Sequence, residues 1–530
     1  MIWTSHAPAP AHGVVLEATG LAHLAHLAHL AHLTDATAVE SARATVTAAL
    51  REAGLHTAAN PAAGPTADRA AIDVQALAER VAHPGWDSCW WAQLIADVAD
   101  ELLHESGPHE TGPHETGPDE ARRDRAAQPG DSRQRAERPA DSRQRRPQGA
   151  AGAPLAGEHP TGERSPVQRS TSQRSTAEHP VDRSGIVLHA PQDLTGAVHR
   201  GRTLSAAARQ ARALTDLRAN QATPDSFARA LTDLAGQHGV DVDVRDEDQL
   251  RREGFGAVLA VGAGSPHPPR LVSLAWDPPG SAGQQPVCLV GKGVTFDSGG
   301  LSLKSPAAMV GMHRDKAGAA VVTAAVCAMA QLALPVPVRA FLPLAENMPG
   351  PLATRPGDII TSLSGQRIEI VDTDFEGRVL MADALTLAAR HHPRALIDVA
   401  TLTYQVVTAL GPQIAGVLGS DGALVEAVLS AARSCGEPMW PLPLAARYRT
   451  QVLSASAHAH VRNHPGQDNA RAITAALFLA EFVPPGLPWA HLDISGPAER
   501  GSGADAMPTG FGVRTLVQLV EALSTFGGQS

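Results

Sequence analysis

The chain has 530 residues, 43% apolar and 18% charged, and a formal charge of −10 from 44 Lys+Arg against 54 Asp+Glu. That length exceeds one ordinary hydrophobic core and points to two folded domains. The acidic balance gives no support to a nucleic-acid surface, and no apolar run approaches the ~20 residues of a membrane helix.

The opening residues, MIWTSHAPAPAHG, lack the basic start and continuous apolar stretch of a signal peptide. Cys89, Cys288, Cys327 and Cys435 lie far apart with no CxxC pair, which predicts free thiols and a cytoplasmic setting. Residues 21–33 read LAHLAHLAHLAHL, placing His23, His26, His29 and His32 three apart. A helix turns about 300° per three residues, so these imidazoles drift around its surface, and the repeat reads as an expansion. The helical pattern WWAQLIADVADELLHE closes a mixed segment. From Ser106 to about Ser184 large apolar residues almost vanish, and GPHET and DSRQR repeat. Such a stretch cannot offset its chain entropy by burial and reads as a disordered insert.

Ordered patterning resumes with the short strand GIVLHA (185–190) and the helix SAAARQARALTDLRA, stopped at ATPDSF. The alternation VDVDVRD (240–246) and the run GAVLAVGAGS (256–265) follow. Strands RLVSLAW, PVCLVGKGVTF, VPVRAFLPLA, RIEIVDTD, RALIDVATLT and WAHLDISG then trade places with helices. These are AGAAVVTAAVCAMAQLAL, GRVLMADALTLAARHH, RAITAALFLAEFV and GVRTLVQLVEALSTF. The pattern predicts an α/β fold with a mixed or parallel sheet flanked by helices on both faces.

Polar residues gather at the carboxyl ends of these strands, where open α/β sheets place their sites. GKGVTFDSGG supplies Lys292 and Asp297, LSLK ends in Lys304, and MHRDKAGAA contains Asp315. RIEIVDTDFEGRVL adds Asp374, Glu376 and Arg378 at alternate positions, which share one face if the strand extends that far. Four converging carboxylates repel unless cations compensate them, and two divalent metals (Mn²⁺, Mg²⁺ or Zn²⁺) suit such oxygen ligands. No zinc-finger spacing occurs. Taken alone, DxExR reads as a strand-end ion-pair cluster and GKG as a turn. Their joint order inside strand–helix units outweighs those readings, and Ser298 lacks the partners of a serine nucleophile.

The stretch VGKGVTFDSGGLSLK…MHRDKAGAA…LAENMPG…RIEIVDTDFEGRVLMADAL resembles the leucyl (cytosol) aminopeptidase family, whose hallmark is NTDAEGRL. The likeness runs from about Ser205 to Phe526. It implies an N-terminal α/β domain over 1–194, interrupted by the 106–184 insert, and a larger catalytic domain over 195–530. It further implies that Lys292, Asp297, Asp315, Asp374 and Glu376 hold two divalent metals, Mn²⁺ foremost. Lys304 matches the catalytic lysine, and Arg378 the catalytic arginine, which holds bicarbonate. The implied protein is a homohexamer that hydrolyses N-terminal residues, leucine or other apolar ones, from peptides.

Four positions depart from the pattern: Asp372 for the hallmark Asn, Phe375 for a small residue, Lys316 for an uncharged one and Tyr404 for Gly. They keep open a catalytically weakened paralogue acting as a scaffold or DNA-binding regulator, against which the net acidity and the retained site residues argue, and a peptidase of cysteinyl-glycine or another dipeptide, which differs only in pocket shape.

Overall fold

The structure is a computed structural model that describes residues 14–15, 70–73, 94–95, 187–189 and 195–525. The histidine repeat and the 106–184 insert lie outside the described residues. Three short strands, β1 (Val14–Val15), β2 (Ala70–Asp73) and β3 (Val187–His189), pair in parallel in that order.

The main sheet is built from β4 (Asp241–Arg245), β5 (Arg270–Trp276), β6 (Val287–Gly291), β7 (Gly293–Asp297) and β8 (Val338–Asn347). A small sheet follows in sequence from β9 (Ile359–Thr361) and β10 (Arg367–Glu369), later joined by β14 (Val461–Arg462). The main sheet resumes with β11 (Ala395–Ala400), β12 (Ala415–Gly419), β13 (Met439–Pro441) and β15 (Trp489–Asp493). Its order is β13-β12-β15-β11-β6-β8-β5-β4, with β7 also paired to β8. The centre, β15, β11, β6 and β8, is parallel; β12, β5 and β4 run antiparallel to their inner neighbours.

Helices cover both faces because the central strands are apolar on both. In β6 every residue is buried. Val287 and Leu289 enter one core with α1 (Thr195–Asp216) and α2 (Pro224–Gln237). Cys288 and Val290 enter the other with α3 (Glu247–Glu253) and α4 (Gly256–Gly262). The short α5 (Pro306–Met309) leads to α6 (Ala317–Gln331), which belongs to the first core, and α7 (Glu376–Ala389) belongs to the second. The fold closes with α8 (Tyr404–Leu410), α9 (Gly422–Cys435), α10 (Arg471–Ala480) and α11 (Val513–Thr525). The alanine-rich sequence of α6 is buried from Ala317 to Ala330, and small side chains let this helix lie close on the sheet.

Two expectations need correction. ATPDSF is a start as well as a stop: Thr223 Oγ1 accepts from Ser226 N at 3.3 Å and Pro224 opens α2. RIEIVDTD is extended only over Arg367–Glu369, so its strand ends well before Asp374.

Candidate active site

The site lies where the parallel strands end. Lys292 follows β6, Asp297 ends β7, and Thr401 follows β11. Asp315 sits between a 3₁₀ turn (Met312–Arg314) and α6. Asp374, Glu376 and Arg378 do not share the face of a strand. Asp374 lies in the turn before α7, Glu376 is the first residue of that helix, and Arg378 is in its first turn. A carboxylate at the amino end of a helix faces unpaired N–H groups, which favour negative charge. Gly377 lets the turn close down: a Cβ there would lie 2.5 Å from Lys292 Cε.

Asp297, Asp374 and Glu376 each offer a carboxylate oxygen, and these oxygens all lie within 4.8 Å of one another. Lys292 Nζ donates to Asp315 Oδ1 at 2.8 Å and to the Thr401 carbonyl at 3.1 Å, and lies 3.0 Å from Glu376 Oε1. Lys304 Nζ lies 2.7 Å from Asp297 Oδ2 and bonds Asp374 Oδ1. The other Asp297 oxygen accepts from Gly299 N at 2.9 Å and Asn347 Nδ2 at 2.8 Å. Thr401 Oγ1 donates to Asp315 Oδ1 at 2.6 Å. Asp315 Oδ2 is 2.7 Å from Lys292 Nζ but outside hydrogen-bond geometry.

Four carboxylates face two ammonium groups here, so negative charge is in excess. Burial and the neighbouring Asp297 push the Glu376 carboxyl up to about 8, against the pull of Lys292. Burial likewise raises Asp315 to about 6, tempered by Lys292. Burial disfavours the charge of both lysines, but the surrounding carboxylates outweigh it. Asp315, Glu376 and Asp297 hold Lys292 above the ordinary lysine range, and Asp297 and Glu376 do the same for Lys304. An oxygen-rich, buried set short of positive charge, with one carboxylate oxygen left without a hydrogen bond, fits divalent cations. Among the described residues it is the one such acidic group.

A cavity of about 630 Å³ opens onto this set, lined also by Arg378, Phe375, Tyr404 and Arg471. Arg378 is 2% exposed; Nη1 donates to the Asn463 carbonyl at 3.1 Å, and burial lowers the guanidinium to about 10 despite Glu376. Tyr404 begins α8 and is 75% exposed at the cavity wall. Lys316 points away: Nζ donates to the carbonyls of Thr215 at 3.0 Å and Leu217 at 2.7 Å, and to that of His313. Asp372 Oδ1 accepts from Asp374 N at 2.9 Å, a role that an asparagine carbonyl fills equally well.

Sequence reasoning assigned no role to Asn347, Thr373, Asn463 or Arg471. Asn347 Nδ2 joins Asp297 to the Thr373 carbonyl at 3.1 Å, and Thr373 Oγ1 donates to Gly299 O at 2.7 Å, which locks the two loops together. Asn463 receives Val371 N at 2.8 Å and holds the turn from across the chain. Asn347, inside the LAENMPG stretch at the end of β8, and Thr373, inside the DTDFEGR motif, were the two of these with a positional signal.

Buried acids and lysines at the carboxyl edge of a parallel-centred sheet define an α/β protein with a metal-competent acidic site. Residues 209–517 match the Cytosol aminopeptidase family, catalytic domain, and the chain belongs to that family. It is 45% identical over 333 residues to a probable cytosol aminopeptidase of Syntrophotalea carbinolica, covering 62% of this chain and 66% of the relative. It is 47% identical over 313 residues to a probable cytosol aminopeptidase of Micrococcus luteus, covering 56% and 60%. The chain thus aligns to just under two thirds of the length of these curated relatives. The solved structure "Bottromycin maturation enzyme BotP in complex with Mn" is similar, with TM-score 0.68 and 33% identity over 92% of this chain and 88% of that one.

Proposed function

We propose that the protein is a metal-dependent aminopeptidase that removes N-terminal residues, leucine or other apolar ones, from peptides. The observation that carries this reading is the convergence of Asp297, Asp374 and Glu376 within 4.8 Å beside Lys292 and Asp315, in a protein of this family. Lys292, Asp297, Asp315, Asp374 and Glu376 would hold two divalent ions, Mn²⁺ foremost given the similar manganese complex, with Zn²⁺ or Mg²⁺ as substitutes. Such ions polarise a carbonyl and make water a nucleophile near neutral pH.

The chain's own residues supply the rest. Lys292 would serve as a ligand after losing its proton to solvent, which becomes favourable once other cations neutralise Asp315 and Glu376. Lys304 keeps its proton and stabilises the negative charge that develops on the scissile carbonyl oxygen. Arg378, rigid in its buried bed, would hold a bicarbonate ion as a weak base. Thr401 and Asn347 fix Asp315 and Asp297 in place. We further read residues 1–194 as a separate N-terminal α/β domain, the parallel β1–β3 sheet being its support, and the assembly as a cytoplasmic homohexamer. No described helix is long and apolar enough to cross a membrane.

The test is hydrolysis of leucyl-anilide and a panel of aminoacyl-anilides by purified protein, before and after chelation. Turnover should vanish on chelation and return with added Mn²⁺. Undiminished turnover in fully metal-stripped protein would refute the reading.

A further inference from the structure

Beyond the metal set and Arg378, the catalytic cavity carries another arginine for which the proposed chemistry has no use. Arg471, the first residue of α10, lines that cavity together with Lys304 and Glu376. Its guanidinium carbon lies 5.4 Å from the ring centroid of Phe375, and that of Arg378 lies 4.7 Å from the same ring. His464 packs edge-on against Phe375 at 4.4 Å and approaches Arg471 Nη2 at 3.4 Å. Phe375 thus touches two like-charged side chains at one wall through cation–π contacts.

The partners of Arg471 leave its charge available. Nε donates to the Gln467 carbonyl at 3.2 Å, and Nη2 meets Asp468, whose side chain is 96% exposed. An ion pair so open to water is weak and easily exchanged. Among the described residues none accepts from Nη1. Ala470, at a left-handed φ of 53°, turns the chain so that Arg471 enters the helix beside the cavity. A guanidinium with Nη1 unengaged and Nη2 in a solvent-open ion pair, packed on an aromatic ring at a cavity wall, matches a carboxylate in charge and can take it once Asp468 is displaced.

We propose that Arg471 binds a substrate carboxylate on the leaving side of the scissile bond, either the free C-terminus of a dipeptide or an acidic second residue. This rests on the aminopeptidase reading. The substrate's amino end is drawn to the acids around Lys292, and an apolar N-terminal residue brings no carboxylate of its own, so a carboxylate that meets Arg471 belongs to the part released. Tyr404 and Glu499 sit elsewhere on the wall, and Glu499 is already engaged by Arg314 Nε at 2.9 Å.

The experiment compares kcat/KM for Leu-Gly, Leu-Gly-amide and Leu-Asp-amide in the metal-loaded full chain and in Arg471→Gln and Arg471→Lys. A charge-assisted contact of this kind is worth about 10- to 100-fold. The wild type should favour at least one carboxylate-bearing substrate over Leu-Gly-amide by that factor. A preference for Leu-Gly identifies the C-terminal carboxylate, and one for Leu-Asp-amide the acidic side chain. Arg471→Gln should collapse the preference about tenfold or more, and Arg471→Lys should keep part of it. Because the reading is a ratio, a general loss of activity cancels. Equal rates on all three in the wild type, or a ratio unmoved by Arg471→Gln, would overturn the proposal while leaving the aminopeptidase intact. No turnover on any substrate would overturn the aminopeptidase reading and this inference with it.

Discussion

Lys292 and Lys316 are both buried lysines near Asp315, 3% and 0% exposed, and they meet burial in opposite ways. Around Lys292 stand full negative charges, Asp315 and Glu376, and they outweigh the cost of burial so that the ammonium form is favoured. Around Lys316 stand backbone dipoles, the carbonyls of Thr215, Leu217 and His313, with the Phe227 ring 5.6 Å away. There burial prevails over the pull of Asp216 and lowers the amine to about 7. Lys316 also opens α6, whose positive end adds to the disfavour. Burial therefore does not by itself decide protonation; the presence of formal countercharge does. On the reading proposed above, Lys292 would become a neutral ligand only when another cation takes over its partners. Lys316 can sit neutral with no metal, and its business is to fasten the end of α1 beneath the site.

The comparison breaks most severely if the countercharges around the metal set are removed. Asp297→Ala deletes a carboxylate and, with it, one of the proposed ligands, so both bound metal and turnover should be lost. Lys304→Ala and Arg378→Ala delete fixed positive charge near the reacting carbonyl. Each should cost on the order of 10²–10³ in turnover with metal content intact. Metal content by elemental analysis, measured beside kcat in the three purified variants, separates these outcomes. If Lys304→Ala shed its metals and Asp297→Ala kept them, the roles assigned to acid and lysine would be reversed.

How much of this was legible beforehand follows from the same distinction between local and distant signals. The strands at 270–276 and 287–297 and the helix at 317–331 announce themselves through continuous apolar runs. They had to, because both faces of the sheet are covered. Lys292 and Asp297 stood out because charged residues break those runs at strand ends, and Asp315 and Glu376 because they stand just before or at the start of apolar helices. The extended reading of 374–378 failed because alternation of polar residues fits a helix's first turn as well as a strand. Gly377, which allows Lys292 to pack against that turn, carries no periodic signal. Asn463 and Arg471 reach the site from a loop and a helix entry some ninety residues downstream. No local pattern marks such a contact. The orientation of Lys316 was equally hidden, since its carbonyl partners Thr215 and Leu217 come from the end of a helix a hundred residues upstream.

The smallest effect, and the one that sharpens the comparison most, concerns pH. In the unfolded chain Lys316 titrates near the ordinary lysine value of about 10.4. In the folded protein burial lowers it to about 7. Between these values the unfolded chain binds a proton that the folded one does not, so stability rises with pH across that window. The limiting slope for one such group is about 1.4 kcal/mol per pH unit. Below pH 7 both states are protonated and the contribution is flat. A neutral amine still donates two hydrogens, so two of the three carbonyls stay satisfied as the charge is lost. Lys316→Met removes the titration and all three donors, which should destabilise the protein by about 1–3 kcal/mol. The deficit relative to wild type should then widen as pH rises from 6.5 to 9.5. Denaturant unfolding of both proteins at those two pH values, with metal content held equal, measures it. Parallel curves would mean that the Lys316 amine stays charged in the fold as Lys292 does, with carbonyl dipoles alone sufficing to hold a buried ammonium.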